Sequence, residues 1–439
     1  MFLGLDFGTT NSALARADVD GVVQLARFTP PRSRTVPAPS STETFRSVLW
    51  FDPDEKGPDR RPLCQSGLRA IHAYIEAGGG GRFVQSVKSH LASKSFTSTQ
   101  IVSATYSLED LVGLVVAGVR AAAEPSFGAL PGRVVAGRPV HFVRDDGDDD
   151  DALAAADAFA EERLRTALKK AGFDDVVFEL EPVAAATRWE QRATRDELVL
   201  IADFGGGTTD LCLVEVGPTS RKKAARGDGR VVVATGGLGV AGDTLDRRII
   251  QHAVAPALGW GSQYRVMGGK ADVPLWLFSA LSRWHALSFL KSRKTMTLLD
   301  EMVATADDGP AVRRLRQLID EDLSYLLQQA VERAKVELSK HDATVFRFPE
   351  IELEVPIARA AFEGWIKDDV ARIDDAVAAV LERAGRPKVH RVFMTGGTSL
   401  VPAVRAAFAQ RFGADALEGG EELVSVAQGL ALRARELFR

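Results

Sequence analysis

Leu3-Gly4-Leu5-Asp6-Phe7-Gly8-Thr9-Thr10-Asn11-Ser12, near the N-terminus, has a near copy in Leu200-Ile201-Ala202-Asp203-Phe204-Gly205-Gly206-Gly207-Thr208-Thr209-Asp210. Each copy is an apolar strand that ends in an aspartate, a glycine-bearing turn and a pair of hydroxyl residues. Glycine lets backbone N–H groups approach an anion closely, and consecutive N–H groups form an anion-binding concavity. The hydroxyls add donors, and an aspartate beside a phosphate can hold a metal ion directly or through water. One Asp-x-Gly turn is usually only a turn. Two copies, with the tandem glycines Gly205–Gly207 in the second, point to two turns that grip the phosphates of one Mg-nucleotide from opposite sides of a cleft.

Two similar signatures do not apply. Asp-Phe-Gly occurs in both copies, as in protein kinases, but no glycine-rich loop with a following strand lysine precedes it and no His-Arg-Asp loop is present. There is also no Gly-x-x-x-x-Gly-Lys-Ser/Thr loop, which excludes a Walker-type site.

Working outward, residues 2–7 read as a buried strand and 12–28 as further strands. A Pro/Ser/Arg-rich excursion runs from Thr29 to Thr44, followed by a strand from Ser47 to Phe51. Helices are expected over 66–77, 84–94 and 107–123, and strands at Val134–Ala136 and Val140–Val143. The acidic run Asp145–Asp151 reads as a solvated loop rather than a metal site, because contiguous like charges repel. A helix over 152–171 and a strand over Val176–Leu180 lead into Glu181-Pro182-Val183-Ala184-Ala185-Ala186. After the second turn, glycines recur at Gly236, Gly237, Gly239 and Gly242. A mostly helical stretch spans 244–339, in which Trp276, Trp284 and Phe289 read as packing residues. Strands at 344–354, a helix over 357–384, a strand at 389–394, the turn Gly396-Gly397-Thr398-Ser399, a helix from Val401 and a last helix over 422–437 complete the chain.

Bulk properties narrow the function classes. The 439 residues suit about two to four domain-sized units, and 46% apolar content suits real cores. With 55 basic and 59 acidic side chains the net charge is −4, and no basic block supports nucleic-acid binding. Two distant cysteines, Cys64 and Cys212, imply neither a disulfide framework nor a metal knuckle, and Cys212 reads as a small core residue. The seven histidines are scattered singly and read as core or surface residues. The most apolar stretch, Leu111–Val119, is too short to span a membrane, and the N-terminus enters a strand at once, without a signal peptide. The expectation is a cytoplasmic protein.

Taken together, Leu3–Ser12, Glu181–Ala186, Asp203–Asp210, Glu332-Arg333-Ala334-Lys335 with Ser339, and Gly396–Ser399 with Pro402 resemble the nucleotide-binding domain of the heat shock protein 70 chaperone family. They stand in that family's order across nearly the whole chain. Trp284–Lys291 and Val331–Ser339 further resemble its stand-alone YegD-like branch. The resemblance implies an α/β, two-lobed actin-like ATPase fold with duplicated ribonuclease-H-like cores and two inserted subdomains. Residues 1–28, 105–194 and 424–439 would form the lobe I core, and 29–104 its insert. Residues 195–238 and 357–423 would form the lobe II core, and 239–356 a largely helical insert. The chain stops after the last helix of this domain, so no peptide-binding domain is expected.

The resemblance also assigns roles. Lys88, Glu181, Asp203, Asp210 and Thr208 would form the catalytic group of an ATP hydrolase. Gly8, Thr9, Thr10, Asn11, Gly205, Gly206, Gly207 and Thr209 would hold the phosphates of ATP or ADP. Asp6 and Asp203 would hold Mg²⁺ through its waters, since this ion keeps several of them. Glu332, Lys335 and Ser339 fall at i, i+3 and i+7, on one helical face, and would meet the ribose and adenine. Gly396, Gly397 and Thr398 would border the adenosine from the other side. Val336 and Leu400 stand where the chaperones carry two arginines that stack on adenine, so cation–π stacking is lost. The function implied is slow Mg-dependent ATP hydrolysis coupled to cleft opening and closing, in a chaperone-like or regulatory role through an unknown protein partner. The alternatives are a sugar-type small-molecule kinase of the same superfamily and an actin-like filament subunit.

Overall fold

The computed structural model describes residues 1–29, 42–78, 80–142, 150–226, 230–281, 290–419 and 424–439. Most of the Pro/Ser/Arg-rich stretch, Asp145–Asp149 of the acidic run, and Trp284 and Phe289 lie outside them.

Two five-stranded paths share one topology. In the first sheet, β1 (Phe2–Asp6), β2 (Asn11–Ala17), β3 (Val23–Leu25), β4 (Arg133–Arg138) and β5 (Asp175–Leu180) lie in the order β5-β4-β1-β2-β3. A short strand, Phe45–Arg46, also pairs with β2. In the second sheet, β6 (Glu197–Phe204), β7 (Thr209–Val216), β8 (Val232–Leu238), β9 (Arg391–Thr395) and β10 (Leu417–Gly419) lie in the order β8-β7-β6-β9-β10. In both, the first strand is antiparallel to the second and parallel to the fourth. The repeated sequence is thus the β1–β2 hairpin and the β6–β7 hairpin, each placed at the centre of its sheet. The central strands are buried on both faces, which is why they read as nearly continuous apolar runs.

Helices cover both faces of each sheet. α1 (Leu108–Phe127) and α2 (Asp150–Lys170) pack on one face of the first, with Leu3, Leu5, Val134 and Ala136. α1 starts at a capping box in which Ser107 and Asp110 exchange backbone hydrogen bonds. α3 (Glu181–Glu190) lies between the sheets, and α4 (Gly242–Ile249) and α5 (Ser324–Lys340) belong to the long connection after β8. α6 (Lys367–Arg383) and α7 (Pro402–Phe412) pack on Leu200, Ala202 and Leu211 of the second sheet. α8 (Ser425–Phe438) returns to α3. The alternate residues Val135, Val199, Ile201, Cys212 and Val214 face this inner pair of helices, as strand geometry requires. A β-carbon at Gly429 would sit 1.7 Å from the Ala184 carbonyl oxygen, so α3 and α8 cross at backbone contact. The result is the two-lobed, duplicated actin-like ATPase architecture expected from the sequence.

Four local expectations are corrected. The helix expected over 84–94 is instead a strand, Arg82–Gln85, followed by a 3-10 turn at Val87–His90. Val48–Lys56 pairs with that strand, and Ser86 takes a left-handed φ of 55° that no helix accommodates. Val140–Phe142 is not a strand, because carboxylates rather than a neighbouring strand take the N–H groups of Val140 and Phe142. The 244–339 stretch contains a hairpin, Gln263–Val266 with Gly269–Asp272. The helix expected over 357–384 divides at Ile366 into Arg359–Trp365 and α6.

Candidate functional site

The two turns meet. A β-carbon on Gly206 would lie 2.9 Å from Thr10 Oγ1 and 3.3 Å from Asp243 Oδ1. The first turn is tied down by Ser47, whose N–H donates to the Thr10 carbonyl at 3.0 Å. The second is tied by Asp243, whose N–H donates to the Gly206 carbonyl at 2.8 Å. Gly8, Thr9 and Thr10 are half-buried, and Gly205 and Asn11 are exposed, so the turns line an open cleft. Gly207 and Thr208 are half-buried beside them. Thr209 departs from its expected role: its side chain is fully buried and its hydroxyl donates to the Val240 carbonyl at 2.6 Å. Only its backbone is left for a phosphate, because as the first residue of β7 its side chain points into the core.

Below the turns, four carboxylates surround one lysine. Lys88 Nζ donates to Glu181 Oε1 at 2.7 Å, and each side chain is only 10% exposed. The lysine therefore is not a surface residue. Asp6 and Asp203, at the ends of β1 and β6, and Asp210, at the start of β7, share this electrostatic environment. Burial, then Glu181, push the Asp6 carboxyl up to about 7. Burial and the surrounding carboxylates push Asp203 well above the usual carboxylate range. Asp210 rises to about 7 by burial and Glu181, although it accepts from Val140 N–H at 2.7 Å and from Thr208 Oγ1 at 3.0 Å. Burial acts to lower the Lys88 ammonium, but Glu181 and Asp6 outweigh it and raise it. Glu181 owes its aim to the start of α3, where Pro182 fixes the first turn and an acidic residue suits the helix N-terminus. A β-carbon on Gly137 would lie 2.9 Å from Glu181 Cγ, so only glycine leaves room for that side chain.

Four carboxylates against one ammonium form a place that asks for a cation. Among the described residues no three His, Cys, Asp or Glu side chains are arranged to ligate an ion directly. Carboxylate oxygens are the donor type that Mg²⁺ takes, directly or through its waters.

The adenosine side is more heavily engaged than its spacing suggests. Glu332 reaches across the cleft mouth to Arg46 Nη2 at 3.0 Å. Lys335 Nζ is held by the Asp246 carboxylate at 2.9 Å and by the Gly242 carbonyl at 3.3 Å. Ser339 Oγ donates back to the Lys335 carbonyl at 3.0 Å. Gly396 takes a φ of 84°, and a β-carbon there would sit 2.0 Å from the Phe204 carbonyl oxygen. Gly397 opens on free space, while Thr398 is buried. Val336 and Leu400 stay 46% and 48% exposed, which leaves two apolar side chains uncovered beside this face.

The spacing did not reveal Arg46, Asp246, His141 or Asp157. Their partners are 286 residues away for Arg46 and 89 for Asp246, so no local pattern marks them. A cavity of about 670 Å³ lies elsewhere, lined by Trp189, Arg195, Arg391 and Glu418. Arg195 and Arg391 there pair with Glu197 and Glu418.

Known proteins resemble this chain in sequence. The family model described as Hsp70 protein matches residues 317–437. The chain is 24% identical, over 449 aligned positions, to the chaperone protein DnaK of Thermosipho africanus strain TCF52B. It is 23% identical to the chaperone protein DnaK of Thermosipho melanesiensis strain DSM 12029. Each alignment covers 98% of this chain and 58% of the relative, so the chain spans somewhat over half the length of these relatives. Along almost its whole length the chain is thus similar to Hsp70-family chaperones, and the paired turns of its duplicated fold face one cleft.

Proposed function

We propose that this protein binds Mg-ATP and Mg-ADP between Thr10 and Gly206 and hydrolyses ATP slowly, with cleft opening and closing as the output. The observation that carries the reading is the group of four carboxylates around Lys88, two of which, Asp6 and Asp203, stand at equivalent places in two equivalent hairpins. Gly8, Thr9, Thr10, Asn11, Gly205, Gly206 and Gly207 hold the phosphates, with Thr209 contributing its backbone. Asp6 and Asp203 would hold Mg²⁺, which would supply charge neutralisation for the phosphates. Lys88 adds a fixed positive charge where negative charge develops, which is the main demand of phosphoryl transfer.

Thr208 Oγ1 donates to Asp210 Oδ2 and fixes that carboxylate. Asp210 then accepts a proton from the attacking water as its oxygen bonds to the γ-phosphorus and the bond to the β–γ bridging oxygen breaks. A carboxyl raised to about 7 suits this task, since an acceptor works best near ambient pH. Glu181 holds Lys88 and orders water around the ion. The ribose and base lie against Glu332, Lys335 and Ser339, with Gly396, Gly397 and Thr398 opposite. The same reading divides the chain into two lobe cores with inserts at 29–104 and 239–356. It makes the protein a cytoplasmic member of the YegD-like branch, acting on an unidentified protein partner in a chaperone-like or regulatory role.

Isothermal titration with ATP and ADP, with and without Mg²⁺, tests binding, and phosphate release in the absence of any acceptor tests hydrolysis. Absence of heat with every nucleotide would end the reading. Phosphate release that requires an added sugar or other acceptor would favour a kinase.

A further inference from the structure

The chain segment between β4 and α2 is held at closely spaced residues by carboxylates of different lobes. Val140 N–H donates to Asp210 Oδ1 at 2.7 Å, and Asp210 belongs to the second sheet. Two residues on, Phe142 N–H donates to Asp157 Oδ1 at 2.9 Å, and Asp157 belongs to α2. Between them, His141 Nδ1 lies 2.8 Å from Asp157 Oδ2. With a carboxylate as its partner, Nδ1 carries the proton and donates. Both oxygens of Asp157 are thereby used on this one short segment. The imidazole and Asp210 both border Gly237: the position of a β-carbon there would be 3.5 Å from Asp210 Oδ1 and 3.6 Å from His141 Cδ2.

We propose that His141 is a positioning residue for hydrolysis: clamped by Asp157, it presents the Val140 N–H to Asp210 and so sets the orientation of that carboxylate toward the attacking water. The inference rests on the hydrolytic reading above. Without the Nδ1–H bond, the segment keeps only the Phe142 anchor to α2, and the residue between the anchors is free to rotate. The Val140 donor then shifts, and Asp210 Oδ1 loses its backbone partner. The Thr208 hydroxyl still holds the other oxygen, so Asp210 stays in place but is no longer fixed in plane. Neither His141 nor Asp157 is among the residues assigned to the nucleotide, so the proposal requires that affinity be kept. The effect falls on turnover.

The decisive pair is His141→Ala and His141→Asn. An asparagine amide nitrogen reaches about where Nδ1 stands and can donate to Asp157, but it has nothing at the Nε2 position. In His141→Ala, kcat for ATP hydrolysis should fall by about 10–100-fold, the scale of a small misplacement of a catalytic group, with the dissociation constants for ATP and ADP unchanged. His141→Asn should restore kcat close to the parent. Amide hydrogen exchange at Val140 in the nucleotide-free protein should accelerate in His141→Ala and return to the parent rate in His141→Asn. Asp157→Leu, close in shape but unable to accept from Nδ1, should repeat the kcat loss even if His141→Ala folds poorly. An undiminished kcat in His141→Ala overturns the proposal while leaving the hydrolytic reading standing. Equal losses in the alanine and asparagine variants also overturn it, because they place the requirement at Nε2. A parent that binds ATP without hydrolysing it ends the hydrolytic reading and the role of His141 together.

Discussion

Lys88 and Glu181 stand 93 residues apart in the chain and meet at 2.7 Å between the two sheets. Lys88 arrives on a 3-10 turn and Glu181 opens α3, so the pair joins the small sheet after β3 to the helix at the lobe junction.

Lys88→Ala should abolish most hydrolysis while part of the nucleotide affinity survives. Loss of one positioned charged group typically costs about 10²–10⁴ in rate. The same change leaves Glu181 buried without its cation, a situation that typically destabilises by about 3–5 kcal/mol. Single-turnover assays and thermal melts of Lys88→Ala and Lys88→Met measure both effects. A variant that hydrolyses ATP as fast as the parent removes Lys88 from the mechanism.

The carboxylate cluster makes the nucleotide-free protein less stable as pH rises. Asp6 and Asp210 have folded values near 7, against an unperturbed value of 3.8. Between those limits the folded state binds more protons than the unfolded one, so stability falls from about pH 4 to about pH 7. Stability from these groups is full below the lower value and lost above the upper. Mg-nucleotide should flatten the curve by supplying the missing positive charge. Asp203→Asn should raise apo stability at pH 8 by roughly 1–2 kcal/mol through relief of like-charge repulsion. Denaturant unfolding at pH 5 and pH 8, with and without Mg-ADP, checks the sign. A parent that gains stability over this range contradicts the burial of these charges.

The cleft mouth is held by an aromatic cluster and the Arg46–Glu332 ion pair. Tyr74 and Phe83 approach Tyr325 with ring centroids 6.5 and 5.1 Å away, the Tyr74 hydroxyl donates to the Asp322 carbonyl, and Arg46 pairs with Glu332. Aromatic pairs add about 0.5–1.5 kcal/mol beyond their buried area. Tyr325→Ala should therefore speed nucleotide release by roughly tenfold or more, since each 1.4 kcal/mol is a factor of ten. Stopped-flow release of a fluorescent ADP analogue reads this directly, and an unchanged rate means that the contacts do not gate the cleft.

The base should be read weakly. Val336 and Leu400 offer exposed apolar surface without a guanidinium, and stacked cations would add about 0.5–2 kcal/mol each. GTP should thus compete for the cleft more effectively than at a site with two stacking arginines. The double substitution Val336→Arg and Leu400→Arg should tighten ATP binding. Unaltered affinity with the fold intact would show that the base rests elsewhere.

What the sequence determined by itself was the duplication and its chemistry. Local spacing carried the two hairpins, because a central strand buried on both faces must be apolar and a phosphate turn must be glycine-bearing, whatever surrounds it. The same holds for Glu181 before Pro182. The tertiary structure decided everything that depends on partners far away in the chain. It turned the Thr209 hydroxyl into the core and drew Lys335 to Asp246 and Glu332 to Arg46. It recruited Arg82–Gln85 into a sheet against Val48–Phe51, where the local pattern alone reads as helix. It also bound His141 to Asp157 next to Val140, whose N–H holds Asp210, although a single histidine in a scattered set reads as inert. Side-chain hydrogen bonds and ion pairs act over a few ångströms in space and leave no period in the sequence, so only the folded chain could assign them.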